Sequence, residues 1–177
     1  GKDGVQVEVG GDAIMFNEQP EFGSEMLGML AAVVILMIAF GSVVAMGLPI
    51  ASALFGLFSG FASIALLANF LGFPEFSGQF AAMIGIGVGI DYSLLVVTRF
   101  REGLHAGRPV EDSVVMAVTT AGKSVIFAGV VVAIAFLGLF VMGLPFIAML
   151  GTSGAIVVLL AVVVALTITP ALLSLVG

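Results

Sequence analysis

The stretch Gly85-Ile-Gly-Val-Gly-Ile-Asp91-Tyr92-Ser-Leu-Leu-Val-Val-Thr-Arg99-Phe-Arg101-Glu102 sets one carboxylate inside an otherwise apolar run. A membrane-crossing helix needs about 20 apolar residues, and residues 79–99 supply that length around Asp91. Arg99 follows Asp91 by eight residues, which at about 1.5 Å of rise per residue is roughly 12 Å. The acid therefore falls close to the midplane of an apolar layer about 30 Å thick. A charge at that depth is costly unless it is protonated, hydrated or paired. Such a residue demands an explanation.

The rest of the chain carries the same signature. Of 177 residues, 61% are hydrophobic and 9% are charged, with a mean hydropathy of +1.32. Soluble domains carry about 45–50% apolar and about 25% charged residues, and a globule of this size cannot hide such an excess. A soluble enzyme is excluded, and so is charge-rich disorder. Without cysteine there is no disulfide framework or thiolate metal site, and the single histidine, His105, makes no metal centre alone. His105 reads as a solvated loop residue. No cofactor, metal, nucleic acid or enzymatic chemistry is expected.

Charge-free runs count the spans. Met26–Pro74 holds 49 residues without a charged side chain and Ser124–Gly177 holds 54, enough for two helices each. The pattern predicts five spans, at about 24–46, 49–71, 79–99, 123–142 and 146–169. Gly41, Gly47 and Pro49 are expected to turn the first into the second, with Pro49 opening the second helix. Gly143 and Pro145 are expected to turn the fourth into the fifth. Thr167, Thr169 and Pro170 sit where they could bend the last span. The runs do not alternate apolar and polar residues, as strands of a membrane barrel do. The fold class is an all-α polytopic membrane protein.

Apart from Lys2, every basic residue (Arg99, Arg101, Arg108, Lys123) falls in, or directly beside, a loop expected over 100–122 between the third and fourth spans. Basic loops stay cytoplasmic, which places the N-terminal segment outside and the C-terminus inside, in the cytoplasmic membrane. Val110, Val114, Ala117, Val118 and Ala121 recur at helical spacing behind Pro109, so the loop is expected to be partly helical and able to lie along the membrane surface. Lys123 is expected to mark the start of the fourth span by reaching to the interface. Residues 1–25 carry a net charge of −5. Within them Val5, Val7 and Val9 alternate with Gln6 and Glu8 as a half-buried strand does. One strand cannot stand alone, so it reads as the remnant of a larger extracytoplasmic domain. The chain also starts at Gly1 rather than Met, as an excised piece would.

Asp91 admits three readings: a helix cap, a structural ion pair with Lys123, or a carboxylate that carries protons or couples ions. Desolvation favours a neutral carboxyl, whereas water or an approaching cation favours the ionised one. A group alternating between those settings takes a proton from one side and releases it to the other. Tyr92 adds a hydroxyl able to donate to the carboxylate or to join a water chain. Gly85, Gly87 and Gly89 could suggest a nucleotide loop, but a Gly-x-Gly-x-x-Gly fingerprint needs glycine where Ile90 stands. They fit helix packing beside the acid instead, because small residues four apart let a second helix approach.

The quoted stretch resembles the fourth transmembrane helix of the MMPL (mycobacterial membrane protein large) family, in the RND superfamily of proton-driven exporters. Thr119-Thr120-Ala121-Gly122-Lys123-Ser124-Val-Ile-Phe-Ala-Gly129 resembles that family's entry into its fifth helix. The resemblance covers about residues 24–177 and implies the second to sixth helices of an amino-terminal half-bundle, with residues 1–23 ending a porter-type domain. It implies that Asp91 is a proton carrier and Tyr92 its hydrogen-bonding partner, facing a matching pair in the missing second half. Arg99, Arg101 and Glu102 match the family's Arg-x-Arg-Glu stretch, expected to form a structural ion network. The implied function is export of lipids or other hydrophobic molecules driven by the proton gradient. The implied partners are protons, membrane lipids and hydrophobic cargo, and oligomerisation is left open. A non-transporting RND-like module, such as a sterol-sensing protein, a protein-export auxiliary or an assembly scaffold, is the alternative.

Overall fold

A computed structural model describes residues 23–41 and 43–176. The strand expected near Val5–Val9, with the porter-type remnant, lies outside the described residues. Five α-helices follow in order: α1 Gly23–Phe40, α2 Val43–Leu67, α3 Ser77–His105, α4 Val110–Leu137 and α5 Pro145–Val176, with a 3-10 turn at Gly138–Met142 between the last two. Among the described residues there is no strand, and α2 to α5 each contain a segment long and apolar enough to cross a membrane. The 18 residues of α1 reach about 27 Å. This helix falls in a separate compact unit from the four that follow.

The helix ends show which local signals prevailed. Gly41, with φ of +62°, follows α1, because glycine enters the left-handed region without a Cβ clash. Gly47 and Pro49 are not turn residues. The helix restarts at Val43 and Pro49 lies buried inside α2, a position tolerated in membrane helices, where neighbours and local adjustments satisfy the freed backbone groups. At the far end of α2, the Asn69 amide donates to the Leu66 carbonyl oxygen at 3.2 Å, supplying one of the partners that a helix C-terminus lacks.

The region expected as a loop over 100–122 is instead two helix ends and a four-residue connection, 106–109. Arg108 N–H donates to the Gly103 carbonyl, Gly107 N–H donates to the Leu104 carbonyl, and Gly107 has φ of +76°. This pairing is the Schellman arrangement, which satisfies the last carbonyls of α3 while reversing the chain. Pro109 then precedes α4, whose first turn carries Glu111 and Asp112, placed favourably at the positive end of the helix dipole. Charge alone does not end a helix, so Arg99 to His105 remain in α3. A surface-lying loop helix is therefore replaced by a continuation of α4 itself.

Small residues set the packing of α2 to α5. A Cβ added to Gly89 would stand 3.0 Å from the Cα of Ala53, and one on Gly85 would stand 2.8 Å from Val157 Cγ1 and 3.5 Å from Leu57 Cδ1. Similarly, Gly60 meets Val157, Gly56 meets Ala161, Gly122 meets Leu166, and Gly103 meets Ser113. Rising numbers on one helix pair with falling numbers on the next, so consecutive helices are antiparallel. Helices α3 and α5 each pack on all three others, while α2 and α4 flank them. In a bilayer the hydrophobic effect does not drive helices together, and close contact of small residues takes its place.

A polar link between α5 and α2 crosses this apolar interior. Thr169 Oγ1 of α5 donates to Ser52 Oγ of α2 at 3.0 Å, and both residues are fully buried. Thr169 directly precedes Pro170 within α5.

Two measurements test this packing. By thermal unfolding in detergent, Gly89→Val should lower stability by about 1–3 kcal/mol, the usual cost of overpacking, whereas Gly87→Ala should not lower it. Thr169→Val should cost about 0.6 kcal/mol and at most about 1.7, the range for interhelical hydrogen bonds in membranes. Adding Ser52→Ala to it should cost less than the sum of the single changes, because both remove the same bond.

Candidate functional site

The candidate site is built on α3, a 29-residue helix with Asp91 at its middle. Successive residues turn by about 100°, so the helix separates into a packed side and an open side. Ala81, Gly85, Gly89, Ser93, Val96, Phe100 and Gly103 lie on the packed side and are buried. Met83, Gly87, Asp91, Leu95, Thr98 and Glu102 are exposed, spaced three or four apart along the opposite side. With α5 behind α3 and α2 and α4 at its flanks, this is the side that none of the three covers.

Asp91 does not cap a helix, since α3 continues for fourteen residues beyond it. Among the described residues it forms no ion pair with Lys123. Tyr92, one position on, turns towards α4 and is half-buried. Its Cε2 atom lies 3.6 Å from where a Cβ on Gly129 would stand, an ordinary van der Waals distance, while the space that Gly129 keeps free is taken by Val162 of α5. The two side chains thus occupy adjoining sectors of α3: the carboxylate on the open side, and the phenol at the junction with α4. No hydrogen bond joins them among the described residues.

The three glycines before Asp91 divide their roles. Gly85 and Gly89 pack against α5 and α2. Gly87 departs from its expected packing role, because nothing stands within 4 Å of a Cβ placed there. Two residues from each of its neighbours, it is rotated by about 200° from them. It leaves a shallow gap one turn from Asp91 on the open side.

At the hairpin end, Arg99 Nη1 donates to Glu102 Oε2 at 2.7 Å across one helical turn, with both side chains about half exposed. Such pairs contribute only about 0.3–0.5 kcal/mol in water. Arg101 is also on this last stretch of α3, half-buried, and His105 is exposed in its final turn. No group of three or more His, Asp or Glu residues able to hold a metal occurs among the described residues. Two features of this neighbourhood were not singled out from the residues themselves: Gly129, where Val162 of α5 comes close beside the Tyr92 ring, and the Ser52–Thr169 link. Gly129 carried a signal only as a glycine in an otherwise bulky run.

The arrangement can do one thing chemically that an ordinary packed helix cannot. It presents an ionisable group half-way along a membrane-length helix, at a surface where another element or water can reach it, with a hydroxylated ring beside it.

Known proteins are similar to this sequence. Membrane protein YdfJ of Bacillus subtilis is 38% identical over 177 residues, covering 99% of this chain and 24% of the relative. The mycolic acid-containing lipids exporter MmpL11 of Mycolicibacterium smegmatis is 32% identical over 154 residues, 87% of this chain and 16% of the relative. The trehalose monomycolate exporter MmpL3 of Mycobacterium tuberculosis is 31% identical over 153 residues, 86% and 16% respectively. The chain thus spans a quarter or less of the length of these relatives. With its apolar helices, this likeness indicates a multi-pass membrane protein. The model of the MMPL family matches residues 1–177 throughout, and the chain belongs to that family.

Proposed function

We propose that this chain forms part of the proton-relay core of a transporter that exports lipids or similarly hydrophobic molecules across the cytoplasmic membrane, with Asp91 as the proton carrier. The observation that carries the reading is the position of Asp91 at the middle of the 29-residue α3, on the side left open by α2, α4 and α5. A carboxylate buried among packed helices would be sealed from both solutions. One on an open side can meet water or a facing group, lose its proton there, and regain it when the surroundings dry. The names of two relatives, exporters of trehalose monomycolate and of mycolic acid-containing lipids, support a lipid-like cargo.

In this reading Tyr92 holds its hydroxyl at the α3–α4 junction, where it can orient a water molecule or donate to the carboxylate when the helices shift. Gly85 and Gly89 keep α3 tight against α5 and α2, so the position of the acid is fixed by packing. The gap at Gly87 leaves room beside the carboxylate for a group from outside this chain, such as the facing half of the transporter. Arg99 and Glu102, with Arg101, brace the hairpin end. By the distribution of basic residues, that end is cytoplasmic and the turn before α5 is external.

Three outcomes are expected of the intact transporter. Asp91→Asn should reduce export driven by a proton gradient to background while leaving expression and melting temperature unchanged; wild-type transport by this variant would overturn the relay. Tyr92→Phe should impair coupling less than Asp91→Asn does. A cysteine at position 105, His105→Cys, should react with a membrane-impermeant thiol reagent only after the cytoplasmic side is opened to it, and labelling of intact cells would reverse the orientation.

A further inference from the structure

Helix α4 separates its residues by size. Ala117, Ala121, Gly122, Gly129 and Ala133 are buried, joined by Val125 as the one bulky apolar member of that side. The opposite side carries Phe127, Val130 and Ile134, which are 74%, 43% and 62% exposed. Small residues mark where membrane helices meet, so the bulky side is the one that faces lipid. Lys123 belongs to this bulky side, about 160° from the centre of the packed one, and is exposed.

Its depth also differs from the expectation. Because α4 begins at Val110, Lys123 lies thirteen residues into the helix, about 20 Å along it. Counting ten residues up both strands of the hairpin from the Gly103–Ser113 contact sets Lys123 beside Ser93 of α3; counting six down from Tyr92–Gly129 sets it beside Thr98. Lys123 therefore stands further into the apolar layer than Arg99, between the hairpin end and Asp91. No carboxylate pairs with it among the described residues. Asp112, on the same side of α4, is eleven residues away, about 16 Å.

We propose that Lys123 anchors the phosphate of a glycerophospholipid in the leaflet on the hairpin side of the membrane. A lysine at this depth extends its methylene stem along the helix and delivers the ammonium towards the interface. Exposed Thr119 lies one turn along that route; its hydroxyl donates to the Val115 and Met116 carbonyls, leaving its oxygen able to accept from the ammonium. On the other side of Lys123, Phe127, Val130 and Ile134 offer an apolar strip for the acyl chains. The occupant is lipid rather than another helix because Phe127, Val130 and Ile134 make the side bulky beyond Lys123, and it is a phosphate because the charge nearest that strip is positive. The inference goes beyond transport and does not depend on Asp91.

The test is native mass spectrometry of the intact protein, released from nanodiscs containing either phosphatidylglycerol or a phosphate-free diglycosyl lipid. Wild-type protein and Lys123→Arg should retain phosphatidylglycerol. Lys123→Ala and Lys123→Gln should retain about fivefold less, the ratio expected for one basic side chain at an anionic interface. The glycolipid should be held equally by all four. Equal retention of phosphatidylglycerol by wild type and both neutral variants overturns the site, as does an equal loss of the glycolipid. A photo-crosslinker at position 123 should capture lipid, and capture of a protein helix instead also overturns it. Circular dichroism and melting of each variant check that the fold is retained.

Discussion

The close approach of α3 to α2 and α5 is the constraint on which the arrangement depends. At Gly89 the neighbouring helix comes so near that Ala53 leaves no space for even a methyl group without adjustment, and at Gly85 the same holds for Val157. Lipid tails are as apolar as leucine side chains, so burying apolar surface offers little preference for one helix partner over another. Contact that only glycine and alanine permit supplies that preference. It also fixes the rotation of α3: with the Gly85 and Gly89 side against its neighbours, geometry turns Asp91 to the opposite side. The packing glycines and the exposed acid are therefore two results of one choice of helix face.

Much of this was legible in the residues. The charge-free runs set the number and approximate position of the helices, because apolar length is a strong, local signal that tertiary context cannot reverse. The place of Asp91 inside a long apolar helix was legible too, but its position at the middle of α3 is set by ends at Ser77 and His105 and not by its distance to Arg99. What was not legible were the ends. Pro49 resembles a helix opening, yet α1 ends at Gly41, α2 already runs from Val43, and the proline is absorbed inside it. The charged stretch after Thr98 resembles a loop, yet charge is compatible with helix, and the break waits for Gly107, which can adopt the left-handed conformation. Lys123 was misplaced by the same error, since its depth depends on where α4 begins.

The glycines show the limit of motif reading. Gly85, Gly87 and Gly89 form one pattern in the sequence but two in space, because alternation by two residues crosses a helix from side to side. Likewise Ser52 and Thr169 are 117 positions apart, and neither carries a sign of the other. Only the antiparallel register of α2 and α5 brings the hydroxyls together. In an apolar medium, that bond favours one register over its neighbours.

The connection between α3 and α4 has a mechanical consequence. Four residues, tied by four backbone hydrogen bonds and ending in a proline, leave little slack between 29 residues on one side and 28 on the other. The pair behaves as a stiff tuning fork clamped at its base. A tilt of one prong would pass through so short a bend to the other, and with it to Gly129, the neighbour of Tyr92.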